Sequence, residues 1–242
     1  MAGRKNTNSV SLNKYISSTG RCSRREADLW IEIGRVRING KIAKKGNRVN
    51  EDDVVTLDGK RIGAQSNRQK KKIYLAVHKK PGITCTTDRS DPDNIIDYVN
   101  YPKRIFPIGR IDKASSGLIL MTNDGDIVNK ILRSENEHEK EYIVTVHKPL
   151  KPEFIKGMAS GVPIMGKRTK RCQVKSVGKS TFKIVLTEGM NRQIRRMCEH
   201  FGYRVLSLKR TRIMNIELGD LKVNMWRNLK SSELSGLIND LK

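Results

Sequence analysis

The sequence predicts an α+β protein in two parts: a small module of two helices and a short sheet, then a larger domain with a mostly antiparallel, mixed sheet and flanking helices. Three observations carry this. Residues 63–72, GAQSNRQKKK, nearly lack apolar side chains and read as a basic linker. Before them, helical spacing gives way to strand alternation and a tight hairpin signal. After them, helix and strand patterns mix without regular βαβ alternation. The expected layout is a flexible N-terminus at 1–8, a small domain at 9–62, the linker at 63–72 and a large domain at 73–242.

In the small domain, Leu12, Tyr15 and Ile16 are spaced for a short helix ending near Gly20. Ser23-Arg24-Arg25-Glu26 is a capping box that starts a second helix, with Ala27, Trp30, Ile31 and Ile33 as its buried side and Gly34 as its stop. Val36 and Ile38 alternate with Arg35 and Arg37, which is strand period, and Asn39-Gly40 is a two-residue hairpin turn. A further strand, Val54–Leu57, ends at Asp58-Gly59.

In the large domain, Ile73–Val77 reads as a strand, Lys79-Lys80-Pro81-Gly82 as a turn and Ile83–Thr87 as β-prone. Asn94–Val99 suits a short helix. The central stretch is Pro107–Gly125, PIGRIDKASSGLILMTNDG: a turn carrying one carboxylate, Asp112, then the apolar run Leu118–Met121, which reads as a buried strand. On pattern alone Asp112 also reads as a turn-former bonded to its own backbone. Ile127, Val128, Ile131 and Leu132 make a helix face, Glu141–Val146 alternates as a strand, and Pro152 opens a helix that Gly161 ends. Thr181–Thr187 and Val205–Glu217 are strand-like, Arg192–His200 is a helix, and Leu234, Leu237, Ile238 and Leu241 give an amphipathic closing helix.

The chain has 242 residues, with 49 Lys and Arg against 25 Asp and Glu, a net charge of +24 and a pI near 10.1. Such an excess fits a polyanionic partner, nucleic acid first, and argues against an ordinary metabolic enzyme. An anionic membrane surface is the weaker alternative; no long apolar run or signal core is present, so a cytoplasmic protein without a membrane partner is expected. Cys22, Cys85, Cys172 and Cys198 are far apart with no CxxC, so reduced and mostly packed thiols are expected. There is no HExxH, GxGxxG or GxxxxGK[ST] pattern, and no metal or cofactor is expected.

The stretch LNKYISSTGRCSRREADLWIEIGRVRING resembles the S4 RNA-binding module. That resemblance implies phosphate contacts from Arg21, Arg24 and Arg25, with Lys14 beside them. Residues 1–72 hold 18 Lys and Arg against 7 Asp and Glu, a density in keeping with that role. Gly109-Arg110-Ile111-Asp112, Lys140-Glu141-Tyr142 and Glu188-Gly189-Met190-Asn191-Arg192-Gln193-Ile194-Arg195-Arg196-Met197, with Lys80-Pro81-Gly82 ahead of them, resemble the RsuA/RluF branch of the pseudouridine synthases over Ile73–Leu229. The fit is best to the RluF type, whose members modify large-subunit ribosomal RNA. Ile111 and Ser115 stand where Leu and Thr are commoner in that motif.

The resemblance implies isomerisation of a uridine in 23S ribosomal RNA, with a transfer RNA anticodon loop as a second candidate substrate, by a monomer. It makes Asp112 the essential carboxylate, as nucleophile or as base. It makes Arg195 the cation whose hydrogen bond ionises and aims that carboxylate, and Tyr142 the aromatic face for a nucleotide that has left its stack. Ile194 becomes an apolar wall of the pocket. Arg110 is matched to the gap left by the flipped base or to its phosphate, Arg192 and Arg196 to phosphate, and Lys80 to a structural or phosphate-facing place in the family's first motif. On the residues alone, Tyr142 reads first as a β-prone tyrosine in a sheet. The other reading of the whole chain is a non-catalytic RNA-binding factor in ribosome assembly.

Overall fold

A computed structural model describes residues 9–63, 71–132 and 137–241. The chain divides into two compact units with the boundary between Lys72 and Ile73. The expected flexible N-terminus and residues 64–70 of the expected linker lie outside the described residues.

The first unit runs β1 (Val10–Ser11), α1 (Leu12–Ser18), α2 (Arg24–Glu32), β2 (Val36–Ile38), β3 (Lys41–Ile42), β4 (Arg48–Val49), β5 (Val55–Leu57) and β6 (Lys60–Ile62). Strands β3-β2-β5-β6 form an antiparallel sheet and β1 pairs with β4. The capping box closes in both directions: Glu26 N donates to Ser23 Oγ (3.1 Å) and Ser23 N donates to Glu26 Oε2 (2.7 Å). Asn39 and Gly40 both adopt positive φ (49° and 80°), the geometry a tight β2–β3 hairpin requires. The core gathers Leu12, Ile16, Ala27, Ile31, Val36, Val49 and Val55. Ile33, expected inside, is 58% exposed. It lies two residues beyond Ile31, about 200° around the helix, and so faces water with Leu29.

The second unit runs β7 (Tyr74–Lys79), α3 (Ile95–Val99), β8 (Phe106–Ile108), β9 (Ser116–Thr122), α4 (Gly125–Leu132), β10 (Lys140–Val146) and α5 (Pro152–Ala159). It continues through β11 (Pro163–Ile164), β12 (Lys167–Arg168), β13 (Gln173–Gly178), β14 (Thr181–Leu186), α6 (Gln193–His200), β15 (Val205–Ile213), β16 (Ile216–Glu217), β17 (Trp226–Asn228) and α7 (Ser231–Asn239). One sheet has the order β13-β14-β10-β15-β9-β7-β17, with β8 added to β9 and β16 to β15. Among the described strands of this sheet, only the β15–β9 pair is parallel.

Alternation along β9 fixes the two faces of the sheet. Leu118 and Leu120 pack with Ile127 and Ile131 of α4 and Leu237 of α7. Ile119 and Met121 pack with Ile95 and Val99 of α3. Farther along, Val144, Phe182 and Ile184 pack under Phe154 and Met158 of α5 and Met197 and Cys198 of α6. Each large apolar side chain buried this way contributes about 1.5–3 kcal/mol.

Three expectations change. Ile83–Thr87 is not a strand; Thr84 N donates to Asp93 O (2.9 Å) and Thr84 O accepts from Ile95 N (3.0 Å), so its backbone is engaged by the start of α3. Val205–Glu217 is two strands, turned at Met214 and Asn215 with Met214 at φ 51°. Helix α6 begins at Gln193, because Arg192 is left-handed (φ 51°, ψ 33°) and serves as the cap. In the closing helix Leu237 is fully buried, whereas Ile238 is 43% exposed.

Candidate active site

The segment between β8 and β9 carries Asp112. Its turn is closed by the main chain, Ser115 N donating to Asp112 O (3.0 Å). The backbone therefore makes the turn, and the carboxylate, with its side chain 30% exposed, faces Arg195. Arg195 Nε lies 3.6 Å from Asp112 Oδ2. This is an ion pair and not the expected hydrogen bond. The guanidinium is held elsewhere: Nη2 donates to Ser115 Oγ (3.3 Å) and lies 3.5 Å from Ala114 O. Arg195 Nε is buried without a hydrogen-bond partner among the described residues.

Helix α6 reaches this position because its apolar residues Ile194, Met197 and Cys198 are buried against the sheet. The loop before it is tethered by a side chain the sequence did not single out. Gln193 is buried; its amide donates to Glu188 Oε1 (2.7 Å) and its carbonyl accepts from Met190 N (3.0 Å).

Tyr142 lies on β10, opposite Ile184 of β14 and Arg210 of β15. One open cleft is lined by Asp112, Tyr142, Arg195, Ile194, Arg110 and Arg192, together with the Glu188–Met190 loop. Six of the predicted residues thus meet in one place. Arg196 does not join them: Nε donates to Asn191 O (3.0 Å), which folds the side chain back onto its own loop. Lys80 is exposed outside the cleft lining, its ammonium 5.9 Å from the Tyr98 ring centroid. In the first unit, Arg21, Arg24 and Arg25 are exposed around the start of α2 and Lys14 is half-buried on α1.

The residue the sequence missed is Lys79. It is fully buried, and Nζ donates to the carbonyls of Lys80 (2.9 Å), Ile83 (2.8 Å) and Lys113 (3.2 Å). It ties the end of β7 to the residue after Asp112. Burial pushes its pKa down to about 8, with Asp112 among the charges that oppose the fall. One row of pairing runs Lys79–Gly117–Arg210–Tyr142 across β7, β9, β15 and β10, so Lys79 and Tyr142 share one face of the sheet. Arg210 is likewise buried, with Nε donating to Leu118 O (2.7 Å). Burial pushes the Cys172 thiol up to about 11 and the Cys198 thiol up to about 12, so these two are poor nucleophiles.

An acid beside a buried arginine, in an open cleft that an aromatic side chain also lines, is suited to act on a ring or sugar drawn in from a polyanion. Comparison with known proteins agrees. Residues 73–200 match the family described as RNA pseudouridylate synthase, and residues 10–55 match the S4 domain. The chain is 54% identical over 229 residues to the dual-specificity RNA pseudouridine synthase RluF of Escherichia coli strain K12, covering 95% of this chain and 78% of that protein. It is 32% identical over 235 residues to the ribosomal large subunit pseudouridine synthase B of Bacillus subtilis, covering 93% and 94%. A solved pseudouridylate synthase structure superposes with a TM-score of 0.68 at 26% identity, covering 94% of this chain and 99% of that one. The chain belongs to the RNA pseudouridine synthase family, in the branch that carries an S4 domain ahead of the synthase domain.

Proposed function

We propose that this synthase isomerises a uridine of 23S ribosomal RNA, and that Asp112 is its essential carboxylate. The observation that carries the assignment is the Asp112–Arg195 ion pair in the cleft that Tyr142 also lines. The reaction breaks the C1′–N1 bond, turns the uracil and joins C1′ to C5. The proton lost from C5 is balanced by the one gained at N1, so no oxidant or energy donor enters. Asp112 acts as nucleophile or base, and both roles use the carboxylate form. Arg195, fixed by Ala114 and Ser115, supplies the facing positive charge and aims it. Tyr142 offers the extruded base a face in place of its lost neighbours. Ile194 walls the pocket, and Arg110 and Arg192 meet the strand around it, with Arg196 and Lys80 as outer phosphate contacts. Arg21, Arg24, Arg25 and Lys14 grip RNA from the S4 domain. The dual specificity named for the Escherichia coli relative supports a second substrate, which we assign to a transfer RNA anticodon loop. The protein acts as a monomer in the cytoplasm; no helix among the described residues is long and apolar enough to cross a membrane.

The test is pseudouridine mapping of ribosomal and transfer RNA in cells lacking the protein, with rescue by wild type and by Asp112→Asn. Wild type restores the missing sites. Asp112→Asn leaves them unmodified, with a rate at least about 10³-fold lower in purified form. Restoration by Asp112→Asn overturns the assignment and favours a binding protein.

A further inference from the structure

Beyond the cleft, at the β17 edge of the same sheet, four aromatic and apolar side chains cluster among lysines. Trp226 is 36% exposed and Met225 is 55% exposed, and Val223 beside them is 49% exposed. The indole of Trp226 meets the ring of Tyr101 edge to face, with centroids 5.1 Å apart and planes at 73°. That geometry uses at most one face of the indole. Val77, opposite Trp226 in the β7–β17 pairing, packs with α3, so Trp226 lies on the sheet face that carries Lys79 and Tyr142.

The cluster is joined to the cleft by hydrogen bonds. Tyr98 Oη donates to Asn224 Oδ1 (2.8 Å), accepts from Lys80 N (3.2 Å) and lies 3.1 Å from His78 O. Met225 O accepts from His78 N (3.0 Å). The next residue along β7, Lys79, holds the carbonyl of Lys113 beside Asp112. The segment that presents Trp226 is therefore fixed to the strand end that supports the Asp112 turn.

Charge selects the partner. Lys103 and Arg104 follow Tyr101 in the chain, Lys222 precedes Val223 and Lys80 lies over the neighbouring Tyr98; none of the four is in an ion pair among the described residues. Two acids of this region are occupied, Asp93 by Lys113 (2.7 Å) and Asp97 by Arg89 (3.6 Å). A partly exposed indole among cations is what an unpaired nucleotide uses, base on ring and phosphate on ammonium.

We propose that Trp226, beside Met225, is a stacking platform for an unpaired nucleotide of the RNA substrate outside the catalytic cleft. The proposal rests on RNA being the substrate, as above, and adds a second contact point that nothing in the site motifs marks. Stacking there anchors the strand while the target uridine enters the cleft.

The chain has two tryptophans, Trp30 and Trp226, so Trp30→Phe leaves Trp226 as the sole indole. Fluorescence of this protein is titrated with short oligouridylate and with a blunt RNA duplex. Oligouridylate quenches Trp226 and the duplex does not. In turnover of a stem–loop RNA, Trp226→Ala raises KM about tenfold, more than it lowers kcat, and Trp226→Phe restores most of the loss. No quenching by oligouridylate, or equal quenching by duplex, overturns the proposal and assigns the patch to a protein partner. So does a Trp226→Ala protein that melts earlier but keeps its KM. The titration is repeated in Asp112→Asn, where binding is read without turnover. Quenching without any product refutes the enzymatic reading alone; product without quenching refutes the platform alone.

Discussion

Adjacent lysines at the end of β7 divide two jobs that the sequence assigned to one. Strand alternation ends at Lys79, and its long side chain turns inward, where three carbonyls receive the ammonium. Lys80 then starts the turn and stays in water. Motif position pointed to Lys80, because the pattern Lys-Pro-Gly centres there; only the backbone register shows which ammonium is buried. Asp112 and Tyr142 were legible because their motifs are local. The Asp112–Arg195 contact was legible as a pairing but not as a geometry, since Ser115 and Ala114 compete for the same guanidinium. The burial of Lys79 has a pH signature. Its pKa is about 8 in the fold against the usual 10.5, so between those values the unfolded chain holds a proton that the folded chain lacks. Folding therefore becomes more favourable as pH rises through this window, by up to about 3 kcal/mol from this group. Lys79→Met removes the titrating charge, and the stability difference between wild type and variant, measured by chemical denaturation, should move in favour of wild type from pH 8 towards 10.5. A constant difference across that window would show that the ammonium is not buried as described.

Elements with a strong local signal formed where their residues demanded. Ser23 and Glu26 start α2, Asn39-Gly40 turns β2 into β3, and Pro152 opens α5. The strands missed were those whose partners are distant in sequence. β8 is Phe106–Ile108, including a proline, and exists because it lies against β9; β17 exists because it lies against β7 across the whole domain. β13 carries Lys175, Ser176 and Gly178 and has little apolar pattern of its own, as suits an outer strand. The parallel join of β9 and β15 holds the site's elements together, and it depends on Gly117. At φ +107°, a side chain there would be strained, and its Cβ would collide with the Arg210 main chain. Gly117→Ala should destabilise the second unit by more than about 3 kcal/mol and abolish product. Gly189 adopts no positive φ and has open space around it, so Gly189→Ala tests the contrast: its melting temperature should stay near wild type. Equal melting of the two variants would remove the special status of Gly117.

For the whole molecule, the excess of 24 positive charges was the first sign of an RNA partner, and its distribution carries information that a total cannot show. Arg24 and Arg25 occupy the first turn of α2, where the helix already presents positive potential, so each is unfavourable for the helix alone. The arrangement becomes favourable when a phosphate sits at that helix start, which draws on main-chain N–H groups and guanidinium together. Arg21 precedes them in the same exposed turn. If all three meet phosphates, binding must release counterions in proportion. The slope of log K against log salt should then lose about 2–3 in magnitude in an Arg21→Ala, Arg24→Ala, Arg25→Ala protein, at roughly 0.7–0.9 per contact. The measurement uses Asp112→Asn, so that binding is not mixed with turnover, and follows RNA affinity across a salt series. The three arginines are exposed, so the melting temperature should hold steady and exclude a folding defect as the cause. An unchanged slope with unchanged affinity would mean that RNA bypasses this helix, and that the charge of the first unit serves some purpose other than gripping the substrate.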